Sequence, residues 1–347
     1  MIKQNILILF GGQSPEHDVS ITSAINIFQN IDKEKYNVFL VKILKNGSWE
    51  LITCEMFNSS QIFENKKTES NEVFLISKNK RTLLINIFEN KEITSIDCVI
   101  PVLHGKKGED GKIQGMFDIL NVKYVGNKLA SSMLAMDKVL MKKILCFHNI
   151  KTAKYLYFYS FDDISYQECR KKLGDIMYIK PANSGSSLGI SKVKNELEFG
   201  EALKYAFKFD QKILIEQGIC GRELECGILG NFDQKKDILI SEIGEINTSD
   251  NFYSYNKKYE NDEAKLIIPA EISEKIKKQI KKLAKEIFCQ FECSGLARMD
   301  FFLENDIIML NEINTMPGFT KISMYPRLFL EVGVSYKELI NRLIELA

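Results

Sequence analysis

The sequence is most informative first in what it lacks. None of its eight cysteines (54, 98, 146, 169, 220, 226, 289, 293) falls in CxxC spacing. Most sit in apolar context, as buried free thiols do, so a reducing compartment is expected. Charge of neither sign is in excess: Lys+Arg 47 against Asp+Glu 46 leaves +1. Such a balance gives no reason to expect nucleic acid or an anionic membrane as partner. No window approaches the length of a membrane span. The N-terminal run MIKQNILILFGG is too short for a signal peptide and meets a glycine turn, so a soluble, cytoplasmic protein is expected. Proline (6) and tryptophan (1) are scarce while Lys, Asn and Ile abound. Apolar periodicity persists throughout, which makes this a background bias and not a sign of disorder. Neither G-x-G-x-x-G nor G-x-x-x-x-G-K-[ST] occurs, so the dinucleotide and Walker A fingerprints are both missing.

What is present is globular. At 347 residues with 45% hydrophobic content, two or three domains are expected. Asn5 to Phe10 is a short apolar run ending in Gly11-Gly12. A helix follows, with Asp18 or Ser20 as cap, and residues 36–43 give a second strand. Strand, glycine turn, helix and strand open a parallel, right-handed α/β unit. Glu16 and His17 lie in the turn GGQSPEHDVS, at the carboxyl end of the first strand, where doubly wound folds place ligands. Glu16 alone would equally suit a helix N-terminus. Residues 46–95 read as an insertion of small antiparallel strands with a mobile loop near 58–71. Asp97 to Val102 is a buried strand ending in Leu103-His104-Gly105, and Asp110 can cap a helix from Lys112. His104 therefore sits at a second strand end, and two polar clusters so placed point to a ligand pocket.

Gly126 marks a boundary, followed by a helix over about 129–148 that contains Lys138. In MYIKPANSGSSLGI (177–190) a strand ends at Lys180, and a loop of small residues follows. Small residues let successive backbone N–H groups face an anion, and Lys180 adds a point charge. Lys212 to Gln217 is another strand, with Glu216 at its end. Glu223 follows the turn Cys220-Gly221, and Glu225 to Gly230 returns antiparallel. Carboxylates flanking such a turn can hold a ribose or an adenine amino group, or merely protect a sheet edge. Residues 241–268 are long, polar and aromatic, with Tyr253, Tyr255 and Tyr259, and read as a lid. Ser273 caps a helix over 273–289, and the chain ends in helices near 323–332 and 335–346.

The stretch GLARMDFFLENDIIMLNEINTMPG (295–318) reads as a β-hairpin turning at Glu304-Asn305-Asp306. Arg298 and Asp300 share a face, as do Glu312 and Asn314, and Asp300 should lie opposite the residues just before Glu312. One face then carries an all-oxygen ligand set with an added cation, which suits Mg²⁺ beside phosphates. A solvated face with one Arg–Asp pair is the plainer reading.

Together the pieces GGQSPEHDVS, PVLHGKKGEDGKIQG, MDK (136–138), YIKPANSGSSLG, IEQGICGRE, YNKKY, GLARMD and NEINTMPGFTKISMYP resemble the D-alanine–D-alanine ligases of the ATP-grasp superfamily. They occur in the family's order and span the chain. The resemblance implies an α/β fold with α+β character in the ATP-grasp part: an N-terminal open parallel sheet domain (1–125), then a two-part ATP-grasp fold (126–213 and 214–347, lid near 244–268). It implies ATP-dependent ligation of two D-alanines through an acyl phosphate, for peptidoglycan precursors, by a homodimer that binds neither nucleic acid nor membrane. Lys138 and Lys180 are then expected on the ATP phosphates, Lys258 on the γ-phosphate, Glu216 and Gln217 at the adenine and Glu223 at the ribose. Asp300, Glu312 and Asn314 would hold two Mg²⁺ (or Mn²⁺), and Arg298 would stabilise the intermediates. Glu16 would bind the first ammonium, in a hydrogen-bonded chain with Ser186 and Tyr259. His104 would lie near the first substrate, Gly318 and Ser323 near the second carboxylate. The lid departs from the family's usual YDYEAKY, reading Tyr253-Ser254-Tyr255-Asn256-Lys257-Lys258-Tyr259. Relatives that make D-Ala–D-lactate usually lack the last tyrosine, so dipeptide synthesis is favoured. A D-lactate or D-serine ligase and a non-catalytic nucleotide sensor remain the alternatives.

Overall fold

The computed structural model describes residues 3–64, 69–247 and 265–347. The chain opens with β1 (Gln4–Gly11), in which Ile6 to Phe10 are all fully buried. A strand buried on both faces reads as a continuous apolar run, as parallel strands do. It pairs in parallel with β2 (Tyr36–Ile43), which carries the short antiparallel β3 (Trp49–Leu51). The helix His17–Asn30 makes the crossover and buries Ile21, Ala24, Ile27 and Phe28. Neither expected cap acts as one. The cap position is Glu16, without a side-chain cap bond, and Ser20 instead accepts from Gly11 N–H (2.7 Å) and donates to the Val102 carbonyl. Its hydroxyl thus ties two strand ends together.

Next come β4 (Val73–Lys78), β5 (Arg81–Asn86) and β6 (Lys91–Ile96), a three-stranded antiparallel sheet. Val73, Leu75 and Leu84 pack with Trp49, Leu7 and Leu9. Within the stretch expected to be a loop, the described residues form 3₁₀ turns at Ser60–Phe63 and Glu69–Asn71. Buried Lys42 donates to the carbonyls of Ile62 (2.6 Å) and Glu64 (2.7 Å), which anchors the segment. The chain then returns as β7 (Cys98–Val102), parallel to β1, and β8 (Lys123–Tyr124) completes the order β3-β2-β1-β7-β8. The helix Lys112–Leu120 takes Gly111 as its cap, not Asp110, although Asp110 still accepts from the N–H of Lys107 (3.0 Å) and of Lys112 (3.3 Å).

The helix expected over 129–148 is two helices, Leu129–Met136 and Lys138–Phe147, broken at Asp137 (ψ 99°). Asp137 accepts from the N–H groups of Val139 and Leu140 (3.0 and 3.1 Å), so the second helix starts on its own cap. Lys138 consequently sits in the first turn of the second helix, and its side chain is buried.

A second layer holds β9 (Tyr155–Phe158), β10 (Met177–Pro181), β11 (Ser191–Val193) and β12 (Ile213–Gln217), antiparallel in the order β11-β10-β12-β9. Helices Tyr166–Leu173 and Glu196–Ala206 cover it through Cys169, Leu173, Phe199 and Leu203. The strand after the Cys220-Gly221 turn does not return onto β12. It is β13 (Arg222–Asn231), part of another sheet with β14 (Leu239–Asn247), β15 (Lys265–Ile267), β16 (Ser294–Glu304) and β17 (Ile307–Asn314), ordered β15-β14-β13-β16-β17. Residues 241–247 and 265–267, expected within an aperiodic lid, are therefore ladder strands, and the intervening part lies outside the described residues. The helix Glu274–Gln290, capped by Ser273, buries Ile276, Ile280, Ala284 and Ile287 against this sheet. Helices Met324–Leu330 and Tyr336–Glu345 close the chain, with Tyr325, Phe329 and Leu339 in one core with Ile6, Ile8 and Phe10.

All eight cysteines are free, but only Cys98, Cys169, Cys226 and Cys293 are buried; Cys54, Cys146 and Cys220 are exposed. Among the described residues no helix is long and apolar enough to cross a membrane.

Candidate active site

The hairpin turns on Asn305 and Asp306, both at positive φ (50° and 61°), the backbone of a two-residue turn that follows the strand twist. Near the turn the register pairs Glu304 with Ile307 and Phe301 with Leu310. Continued unbroken, it would set Asp300 against Asn311, and Glu312 against Met299 on the core side. A bulge intervenes. Asn311 is the extra residue, after which Asp300 pairs with Glu312 and Arg298 with Asn314. One inserted residue moves a strand's side chains to the other face. The bulge is thus what gathers Arg298, Asp300, Glu312 and Asn314 on one side while Met299, Phe301, Leu310 and Ile313 stay in the core. The sequence-level pairing was one residue short because bulges leave no periodic signature.

Arg298 holds Asp300 through two bonds of 2.8 Å and lies 3.1 Å from Glu225 on β13. Burial opposes its charge, yet Asp300 and Glu225 hold the guanidinium well above its ordinary value. Asn314 donates to Asp300 at 2.8 Å. Two carboxylates and a carboxamide on adjoining positions form an oxygen-only donor set, which fits a hard divalent cation. Among the described residues no three His, Cys, Asp or Glu side chains converge as a metal cluster, so phosphate oxygens and water would have to complete such a shell.

Across the cleft stand the lysines. Lys138 donates to the Ser184 carbonyl (2.8 Å), with Glu312 3.7 Å away. Lys180 pairs with one oxygen of Glu216, and Lys142 with the other at 2.6 Å. Burial alone would push the Glu216 carboxyl up, but the two ammonium groups hold it down at about 2. Burial lowers Lys142, whereas for Lys180 the same penalty is outweighed by Glu216 and its pKa is raised. Glu216, expected alone at an adenine, is thus held on both oxygens. Lys142 went unnoticed in the sequence, although its place four residues after Lys138 sets it on the same helix face.

Two cavities share a wall made by Lys138, Ser186, Glu225 and Glu312. The smaller, about 110 Å³, is lined by Lys180, Glu216, Gln217, Glu223 and Asp300. The larger, about 340 Å³, is lined by Glu16, His104, Glu109, Ser186, Arg298, Asn314, Gly318 and Ser323. Ser186 donates to the Glu16 carboxylate across 170 positions of sequence. Ser186 and Ser187 both take positive φ (49° and 59°), a strained pair of the kind held at functional sites. A side chain at Gly105 would start 2.7 Å from Glu16 Oε2, so only glycine leaves room for that carboxylate. His104 donates from Nδ1 to the Met316 carbonyl (3.1 Å), and Ser23 Oγ lies 3.4 Å from its Nε2. Burial lowers its pKa, and both ring nitrogens are spent on the protein. Ser323 Oγ accepts from Thr320 N–H (2.9 Å) and sits 2.7 Å from where a Gly318 Cβ would be.

Glu109 was missed. Burial, with Glu16 next, pushes its carboxyl up to about 8, against the hydrogen bonds from Gly105 and Met316. Its signal was present in HGKKGEDG, an acid between glycines at a strand's carboxyl end. Tyr259 and Lys258 lie outside the described residues.

Comparison with known proteins bears on this constellation. Residues 5–127 match the family model described as D-ala D-ala ligase N-terminus, and residues 147–345 the model described as D-ala D-ala ligase C-terminus. The D-alanine--D-alanine ligase of Caldicellulosiruptor bescii is 42% identical over 356 aligned positions, covering 100% of this chain and 96% of that one. The D-alanine-D-alanine ligase structure from Coxiella burnetii superposes with a TM-score of 0.84 at 36% identity, covering 99% of this chain and 95% of that one. The VanG D-Ala:D-Ser ligase from Enterococcus faecalis does so at 0.86 and 33%, covering 99% of both. Fold, cleft and full-length similarity agree, and the chain belongs to the D-alanine–D-alanine ligase family.

Proposed function

We propose that the chain joins two D-alanines into D-alanyl-D-alanine at the expense of ATP, through an acyl phosphate, as a step toward peptidoglycan precursors. A carboxylate is a poor acyl donor at neutral pH, and phosphorylation gives it a leaving group. The observation that carries this reading is the cross-strand set of Arg298, Asp300, Glu312 and Asn314 facing Lys138 and Lys180. Transfer of a phosphoryl group needs positioning and charge neutralisation more than covalent help. In this reading the smaller cavity takes the nucleotide: Lys138 and Lys180 meet its phosphates, Glu223 its ribose, and Glu216 with Gln217 its base. Asp300, Glu312 and Asn314 hold two Mg²⁺ (or Mn²⁺), which when bound neutralise charge on the phosphates.

The larger cavity takes the amino acids. Glu16, oriented by Ser186, accepts the first ammonium, and His104 fixes the wall beside it. Ser323 and the backbone at Gly318 receive the second carboxylate. When the second amine attacks, Arg298 stabilises the oxyanion that forms on the acyl carbon. Lys258 and Tyr259 would complete the site from the segment after Asn247. Units bounded at 1–125, 126–213 and 214–347, a homodimer and a cytoplasmic location go with this reading.

D-Alanine-dependent release of phosphate from ATP, measured with and without Mg²⁺, is the test. Activity is expected only with the metal, and a chain that hydrolyses ATP without regard to D-alanine would refute the reading. Running D-serine and D-lactate as second substrates separates a dipeptide ligase from its relatives. Arg298→Ala is expected to lower turnover by about 10²-fold or more, the scale for one lost charge-stabilising donor. Near-normal turnover in that variant would remove Arg298 from the mechanism.

A further inference from the structure

Between β17 and the helix Met324–Leu330 the chain crosses the larger cavity as an irregular segment carrying Gly318 and Ser323. Its backbone is held from outside by side chains far away in sequence. Asn127 donates to the Thr315 carbonyl (3.2 Å), and Ser23 accepts from Phe319 N–H (3.2 Å). The peptide groups on either side of Met316 are clasped at both ends from one loop. Glu109 accepts the Met316 N–H (3.2 Å), and His104 donates to the Met316 carbonyl (3.1 Å).

Glu109 does one thing more. Its other oxygen accepts from Gly105 N–H at 2.7 Å. Gly105 is the residue whose Cα lies against the Glu16 carboxylate. A single carboxyl group therefore spans from the backbone beside Glu16 to the backbone that leads to Gly318. Those are the two ends of the cavity where the reading above seats the first and the second amino acid. Two main-chain N–H groups are its hydrogen-bond partners among the described residues, and no cation pairs with it there. A surface acid could not be placed so; a half-buried one facing two N–H donors is fixed in both position and direction.

We propose that Glu109 is a positioning residue that sets the separation of the two amino-acid subsites, and so governs the second half of the reaction but not the first. This rests on the ligase reading. Formation of the acyl phosphate needs only ATP and the first D-alanine. Attack by the second amine needs the two subsites in register, and a misplacement of about 1 Å there can cost about 10²-fold.

The halves can be read apart with hydroxylamine, a nucleophile that needs no second subsite. Its nitrogen attacks the acyl carbon, the carbon–oxygen bond to phosphate breaks, phosphate leaves with the bonding pair, and the nitrogen loses a proton to water. In Glu109→Gln one acceptor oxygen survives and an NH₂ group faces a backbone N–H. Dipeptide formation is expected to fall at least about tenfold, through the KM of the second D-alanine. Hydroxamate formation and the KM for ATP should stay within about twofold, since neither uses the clasp. Glu109→Asp keeps both acceptors one methylene shorter, and should show the same split more weakly; it serves alone if the Gln variant does not fold. Equal loss of both products, or loss of neither, overturns the inference. A wild-type chain that makes neither product overturns the ligase reading with it.

Discussion

The N-terminal parallel sheet and the C-terminal antiparallel sheet contribute to one cavity by opposite means. Ile6 to Phe10 of β1 are buried on both faces, so that strand has no side chain to offer a ligand along its length. Its chemistry is displaced into the loops at strand ends, Glu16 after β1 and His104, Gly105 and Glu109 after β7. In β16 burial alternates: Met299 and Phe301 are core, Arg298 and Asp300 face the cleft. That sheet offers side chains from mid-strand, but only if the register is right. A parallel sheet therefore risks its function in loop geometry, an antiparallel one in pairing.

The largest effect should come from register. Inserting one residue directly after Asn311 would let the ladder run on unbroken, with Asp300 opposite Asn311 and Glu312 carried along the strand to lie opposite Arg298. Activity in the phosphate-release assay is expected to disappear, a loss beyond that of any single side-chain truncation. A thermal melt belongs with this test, since Ile313 would also be carried along from its place opposite Met299. A folded insertion variant with wild-type turnover would show that Asp300 and Glu312 need not stand opposite each other.

A smaller effect should follow from the loops. Gly105 has φ +74°, and an added Cβ would meet Glu16 Oε2 at 2.7 Å. Gly105→Ala combines a left-handed backbone, which costs an L-residue about 1–2 kcal/mol, with displacement of that carboxylate. The KM of the first D-alanine is expected to rise roughly tenfold, with the KM for ATP unchanged, 1.4 kcal/mol being a factor of ten. Equal rises in both constants would mean that the loop supports the fold more than the subsite.

The same contrast explains what could be read from the sequence. The parallel unit was legible in the apolar run at Asn5–Phe10, the glycine turn and helix after it and the strand at 36–43, because burial of the first strand on both faces writes itself as continuous hydrophobicity. The hairpin was legible through its turn, while its bulge was not: Asn311 is an ordinary residue whose effect exists only in pairing. The break at Asp137 hid inside an apolar pattern that runs through both helices. The partners of Glu216 and Glu109 were invisible for another reason. A buried carboxylate announces itself only through what faces it, and Lys142 and Met316 come from other elements. The cap at Ser20 failed because its hydroxyl is spent on the ends of β1 and β7, and in the other helix Gly111, at φ 87°, takes the position expected of Asp110.

The smallest predicted effect marks where the comparison ends. Ile8 is fully buried at the centre of β1, registered against Leu40 and Ile100, with Phe10 and Ile6 on the same face. Ile8→Val removes one methylene from a packed interior, which typically costs about 0.5–1.5 kcal/mol. The strand is flanked by hydrogen-bonded neighbours on both sides, so the backbone cannot close the gap by shifting one residue along. Stability should fall by that amount, read as a lower denaturation midpoint at unchanged m-value. Glu16 is eight residues further on, across the glycine turn Gly11-Gly12, and Ser20 holds the strand end to β7 independently of Ile8. Every KM should therefore remain at its wild-type value. If the KM of the first D-alanine moved with this substitution, the parallel strand would be tuning the site from within, and the division between a sheet that acts through its ends and one that acts through its face would not hold.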